Sequence, residues 1–242
     1  MLEQFNPDPL TFGEVVSIVV DVQNDFCPGG ALAVNSGDEV VRPINEINRF
    51  VREHGGLVAF TRDKHPEVTT HFQEYGGSWP THCIVDSKGF QFHPDLTIEE
   101  QDTVASKGMS GQDDGYSGFD ATVEPGPSVI GDIVADAPEK DRTLGKALEH
   151  IGRVNRNLGY RTVAFVSGLA GDYCVAATAE PMLNKLKDLD VTTILVIDAI
   201  RSVNIKPDDG DKALAALEEA GALAMTSQQI IQGGVVIDRK EA

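Results

Sequence analysis

Five residues of this chain stand where an apolar, β-branched run gives way to a turn: Asp21, Asp63, His65, Lys107 and Cys174. Together they supply a carboxylate, a carboxylate–imidazole pair, an amine and a thiol. Such a set can move a proton, attack a carbonyl carbon and hold a divalent metal. In open α/β sheets, ligands bind beyond the carboxyl ends of the strands. Groups that follow different strands therefore meet in one place, and four strand ends converging say more than any one of them.

The thiol has the most informative setting. The stretch "VSGLAGDYCVAATA" reads as a strand, a tight glycine-containing loop and a helix beginning near Cys174. Unpaired N–H groups at a helix start favour a thiolate and lower a cysteine pKa. They can also hold an oxyanion on a carbonyl under attack. The competing reading is a small buried hydrophobe, the common fate of a free cysteine. Cys83 follows His82 in "SWPTHC", but adjacent side chains rarely face each other. Cys27 precedes a proline and has no basic neighbour in sequence, so both of these cysteines read as packing. Asp21 lies six residues before Cys27. The first strand alone leaves open which thiol it serves.

Asp63-x-His65 at a strand end puts two ligands on one side of extended backbone. His71, His82 and His93 follow before the next strand. Imidazole and carboxylate with open positions suit zinc, iron(II) or manganese(II), although a lone Asp-x-His is often a surface turn. Lys107 precedes a glycine after an apolar strand, where an amine can stabilise a thiolate and orient an aspartate. Phe26, Trp79 and Tyr116 lie in the loops after these strands, either as loop core or as walls around a flat ring. The whole set asks for a planar, ring-bearing amide or a similar acyl substrate.

The elements that must position these groups alternate. Strands are expected over residues 15–22, 56–61, 103–106, 161–166, 191–198 and 222–226, and helices over 37–53, 144–158, 174–189 and 211–220. Helical spacing of Val40, Ile44, Ile47 and Val51 carries the first helix. Alternation with short connections implies an α/β fold, three layers deep, around a mainly parallel, doubly wound sheet of about six strands. Residues 65–97 and 110–141 interrupt the rhythm, and a loop of such length inside a compact domain is usually functional. No repeat or linker composition divides residues 1–242, so a single domain is expected.

Composition narrows the classes of function. Among 242 residues, 38 Asp and Glu against 20 Lys and Arg leave a net charge of −18, which argues against nucleic acid or an anionic membrane as partner. No apolar run has the length of a membrane span. The start "MLEQFNPDPLTFGE" has neither the basic nor the apolar part of a signal peptide. Three cysteines match no disulfide framework, which fits a reduced, cytoplasmic protein.

In order along the chain, "DVQNDFCPGGALAV", "RDKHP…HF…SWPTHC", "FHPDL", "KG…GYSGF" and "GLAGDYCV" resemble the nicotinamidases, also called pyrazinamidases, of the isochorismatase-like cysteine hydrolases. The resemblance runs from about Val15 to the last expected strand. It implies a triad of Asp21, Lys107 and Cys174, and a divalent metal, zinc ahead of iron(II) or manganese(II), held by Asp63, His65 and His82. His71 matches a fourth ligand found in part of the family. Phe26 and Trp79 match the walls around a pyridine ring, and Tyr116 lines the same pocket. Ala170, after a cis peptide, and Cys174 match the N–H donors of an oxyanion hole. The implied reaction turns nicotinamide, and pyrazinamide likewise, into the acid and ammonia through a thioester, as in NAD salvage. Members of the family occur as monomers and as homo-oligomers.

Three features depart from the pattern. Gly171 stands where the family usually has Thr, residues 127–142 look long for their connection, and Pro181 should kink or end the helix after Cys174. A related cysteine hydrolase of another small carboxamide or of a carbamoyl amide is the main alternative; the Asp63, His65 and His82 set opposes the carbamoyl case, since a metal-free pocket does not need it. Isochorismatase itself lacks the nucleophilic cysteine. A binding protein that had lost catalysis would be expected to lack part of the triad.

Overall fold

The computed structural model describes residues 10–111 and 115–238. In chain order, the strands and helices are β1 (Leu10–Phe12), β2 (Glu14–Val20), α1 (Val41–Glu53), β3 (Leu57–Asp63), β4 (Thr103–Lys107), β5 (Thr122–Val123), α2 (Val129–Val134) and α3 (Leu144–Asn157). There follow β6 (Thr162–Leu169), α4 (Ala176–Lys185), β7 (Val191–Arg201), α5 (Asp209–Glu219), β8 (Leu223–Met225), α6 (Ser227–Gln229) and β9 (Val235–Ile237).

The main sheet has seven strands in the order β5-β4-β3-β2-β6-β7-β8, all parallel except β5. From β2 the chain winds outward through β3 and β4, then returns to the other side of β2 as β6. The order reverses at β2, which puts a topological switch point at the carboxyl ends of β2 and β6. Alternation along β2 sends Val15 and Val19 to one face and Val16, Ile18 and Val20 to the other. The first face packs on Ile44, Ile47 and Val51 of α1, and the second on Leu144 and Leu148 of α3 and Ala179 and Met182 of α4. Burial on both faces explains why β2 reads as a continuous apolar run.

The α/β class and the mainly parallel sheet agree with the sequence-based expectation, and the differences are local. The seventh strand is β5, a two-residue antiparallel edge within the segment 110–141, which also contains α2. A separate two-stranded sheet pairs β1 with β9 in parallel. The expected helix over 174–189 begins as a wide π turn over Gly171–Val175, continues as α4 and ends at Lys185. Pro181 lies inside α4 and does not end it. Among the described residues, no helix is long and apolar enough to cross a membrane.

Candidate active site

Asp21 is the first residue beyond β2, and its backbone turns into the left-handed region at φ 50°. Its amide donates to the Thr61 carbonyl at 3.2 Å, and the Thr61 hydroxyl donates to Asp21 Oδ1 at 2.7 Å. Oδ2 faces Lys107 Nζ at 2.7 Å. Lys107 ends β4, Asp63 ends β3, and the two residues pair in register. The Lys107 ammonium also contacts Asp63 Oδ1 and the Gly115 carbonyl, and lies 3.6 Å from Cys174 Sγ. Asp21, Asp63, Lys107 and Cys174 are all buried. Four strand ends thus deliver two carboxylates, one ammonium and one thiol to a single buried site.

Their proton affinities diverge for physical reasons. Burial raises the Asp21 carboxyl above its ordinary value, Lys107 opposes that, and nearby Asp63 adds to it. Asp63 is buried too, but Lys107 and the facing imidazoles of His65 and His82 hold it well below the carboxylate range. Burial pulls the Lys107 amine down, yet Asp21, Asp63 and Cys174 outweigh it and keep the amine charged. Burial pushes the Cys174 thiol well up, Lys107 pulls it back, and Asp21 and Asp63 push it further. A low cysteine pKa was expected from a helix N-terminus, but burial and two carboxylates dominate. At rest the site therefore holds a thiol beside a carboxylate of raised basicity. Two carboxylates driven apart in this way suit different tasks, Asp21 for proton transfer and Asp63 for holding positive charge.

Cys174 sits in the π turn after β6, beyond the cis peptide Leu169–Ala170. Ala170 is buried there, and its carbonyl accepts the N–H groups of Tyr173 and Val175. The Cys174 carbonyl accepts the Thr178 hydroxyl at 2.6 Å, and the same hydroxyl accepts Gly118 N–H at 2.8 Å. These bonds fix the turn to α4 and to the loop after β4. Cys27 and Cys83 lie buried in the other core, where burial pushes the Cys27 thiol up to about 11.

A cluster of imidazoles adjoins the thiol. One ring nitrogen from each of His65, His71 and His82 lies within 4.8 Å of the other two, and all three residues are buried. Asp63 Oδ2 lies 3.6 Å from His65 Nε2 and 3.7 Å from His82 Nε2. His65 Nδ1 meets the Gly108 carbonyl at 3.0 Å and His82 Nδ1 the Pro80 carbonyl at 2.7 Å. A carbonyl can only accept, so each Nδ1 carries a hydrogen, and in the neutral ring that tautomer leaves the lone pair on Nε2. His65 Nε2 is buried with no hydrogen-bond partner among the described residues. Three imidazoles and a carboxylate, with the His65 and His82 rings oriented by carbonyls behind them, fit a divalent cation. His93 lies apart from the cluster, beside α1.

Phe26, Trp79 and Tyr116 line one pocket with Cys174, Ala170, Asp63, His71 and His82. Trp79 Nε1–H donates to the Tyr116 hydroxyl at 2.7 Å, which locks these two walls together. Tyr173, Leu32 and Val203 complete the lining, and Tyr173 meets Trp79 edge-on at 4.8 Å between ring centroids. The sequence reading missed these three, although Tyr173 adjoins Cys174 in the quoted motif. It also missed Thr61 and Gln23, whose signal is a polar residue at a buried position. The Gln23 amide bonds both the N–H and the carbonyl of Asp63 at 2.8 Å. A larger groove of about 630 Å3 along α1 holds none of these groups, and its Arg52 is paired with Glu99 and Asp102.

The Isochorismatase domain model matches residues 15–122. A nicotinamidase/pyrazinamidase of Mycobacterium tuberculosis is 34% identical over 173 residues, which is 67% of this chain and 91% of that protein. The chain belongs to the isochorismatase family, among its nicotinamidase/pyrazinamidase members. A nicotinamidase of Escherichia coli is 31% identical over 86% of this chain and 93% of its own length. Among solved structures, the pyrazinamidase of Pyrococcus horikoshii in complex with zinc is 31% identical, with TM-score 0.66 over 88% of this chain and 99% of that one. A likeness of fold alone extends to the N-carbamoylsarcosine amidase of Thermoplasma acidophilum, at 23% identity and TM-score 0.58 over 88% and 96%. This family member is an amidohydrolase by kinship, with a buried Asp/His cluster able to hold a metal.

Proposed function

We propose that this protein is a nicotinamidase, hydrolysing nicotinamide to nicotinic acid and ammonia. The observation that carries the reading is the Cys174 thiol, 3.6 Å from Lys107 and beside Asp21, opening into the same aromatic pocket as His71 and His82. In this reading residues 1–242 act as one hydrolase domain. The relatives' names support the substrate, and the flat, aromatic lining suits a pyridine ring.

Asp21 takes the proton from Cys174 as sulfur attacks the carboxamide carbon, and raised basicity suits it to that step. The oxyanion is held by the N–H groups of Ala170 and Cys174. Lys107 keeps Asp21 oriented and balances its charge. As the intermediate collapses, the carbon–nitrogen bond breaks and the amide nitrogen leaves as ammonia with the proton from Asp21. Water then attacks the thioester while Asp21 takes its proton, and the departing Cys174 sulfur receives that proton as nicotinic acid is released. Asp63, His65, His71 and His82 would hold one divalent ion, zinc by analogy with the Pyrococcus horikoshii relative. When bound, that ion supplies a positive charge that anchors the ring nitrogen. Phe26, Trp79 and Tyr116 hold the ring faces and exclude water.

Parallel turnover assays on nicotinamide, pyrazinamide and a carbamoyl amide test the proposal. Ammonia release from the two ring amides, with little from the carbamoyl amide, is the expected pattern. Preference for the carbamoyl amide would overturn it.

A further inference from the structure

Asp172 lies two residues before Cys174 and does not line the pocket, yet it ties the turn to a segment that does. Its Oδ1 accepts Val203 N–H at 2.9 Å and its Oδ2 accepts Asn204 N–H at 2.8 Å. Two consecutive backbone N–H groups converging on one carboxylate make an anion-holding nest, here filled by the protein's own side chain. Asn204 has φ 54°, and its Oδ1 accepts Gly210 N–H at 2.8 Å, in the first turn of α5. A Cβ on Gly171 or on Gly210 would run into the Ser202 hydroxyl, so the loop is pressed from both sides. Val203 in turn borders the pocket, sharing its lining with Ala170, Tyr173 and Cys174. Displacing a residue that positions a bound substrate by about 1 Å can cost roughly 100-fold.

Building on the amidase reading above, we propose that Asp172 is a positioning residue for substrate selection. Its carboxylate holds Val203 as a fixed wall in register with the Cys174 thiol, and so sets which ring the pocket accepts.

The test compares Asp172→Asn, Asp172→Glu, Val203→Ala and the Asp172→Asn/Val203→Ala pair with wild type. Asparagine keeps the shape but loses one acceptor and turns an NH2 group against a backbone N–H. Loss of one such bond corresponds to about 10-fold. We expect KM for nicotinamide to rise about 10-fold with kcat within about 3-fold, the mark of lost binding rather than lost chemistry. Preference for nicotinamide over a ring-methylated analogue should fall about 10-fold. Asp172→Glu should recover part of the loss, and the double variant should be no worse than the poorer single one. Nicotinate affinity, read from the emission of Trp79, the sole tryptophan, should weaken in parallel.

Unchanged KM and selectivity in Asp172→Asn, or losses that add in the double variant, would overturn the proposal. If Asp172→Asn does not fold, the same additivity is read with Asp172→Glu. A wild type that neither hydrolyses nicotinamide nor binds nicotinate would instead overturn the amidase reading, and the selection role with it.

Discussion

Lys107 and Asp63 form a buried ion pair that joins the two halves of the site. Through it, the ammonium that faces Asp21 and Cys174 also fixes the carboxylate that faces His65 and His82. Replacing Lys107 by Met leaves two buried carboxylates without their counter-charge, an uncompensated loss of about 3–5 kcal/mol. Lys107→Met should therefore lower unfolding stability by that amount in urea titrations, as well as abolish amidase activity. A loss below about 1 kcal/mol would show that the pair is not holding the site together.

Thr61 acts on the chemistry through Asp21. Thr61→Val keeps the shape in β3 and removes the hydroxyl that donates to Oδ1. A charged acceptor deprived of its donor in a buried site costs about 1–3 kcal/mol. We expect kcat to fall about 10- to 100-fold in Thr61→Val, with Thr61→Ser close to wild type. Equal rates in Thr61→Val and wild type would contradict the assignment.

Elemental analysis checks the imidazole cluster. Native protein should carry one divalent metal ion per chain, with His82→Ala reduced well below that and His93→Ala unchanged. Full metal content in His82→Ala would remove the cluster from consideration as the metal centre.

Glu124 provides a pH test away from the site. It is half-buried, and although burial raises its carboxyl, hydrogen bonds from Arg62, Ser106 and Lys64 bring it from 4.5 down to about 2. The folded value lies below the unfolded one, so the unfolded chain binds the proton first as pH falls. The stabilisation is fully present above about pH 4.5 and is lost as pH drops toward 2. The stability gap between wild type and Glu124→Gln should be constant at neutral pH and should close across that window. A gap independent of pH would contradict the network.

Much of the site could be read from the sequence because its groups follow apolar strands. Asp21, Asp63, Lys107 and Cys174 each stand at a place where periodicity marks the end of a buried run. The clustered histidines were harder: His93 shares the segment with His71 and His82 but folds away, since an irregular loop carries no period that fixes direction. β5 is two residues long in a Gly- and Pro-rich stretch, and β1 meets β9 across more than 220 residues. Neither has a local signal. Thr61 and Val203 read as ordinary strand and loop residues, because their contributions depend on what the fold brings opposite them. The thiol's raised proton affinity has the same origin, since burial between two carboxylates is a tertiary fact.

The central claim is that Cys174, and not the nearby Cys27, is the nucleophile Asp21 serves. Ammonia release from nicotinamide by wild type, Cys174→Ala and Cys27→Ala measures it directly. The account predicts loss of at least about 1,000-fold in Cys174→Ala and a rate near wild type in Cys27→Ala. Activity surviving in Cys174→Ala, or equal losses in both variants, would contradict it.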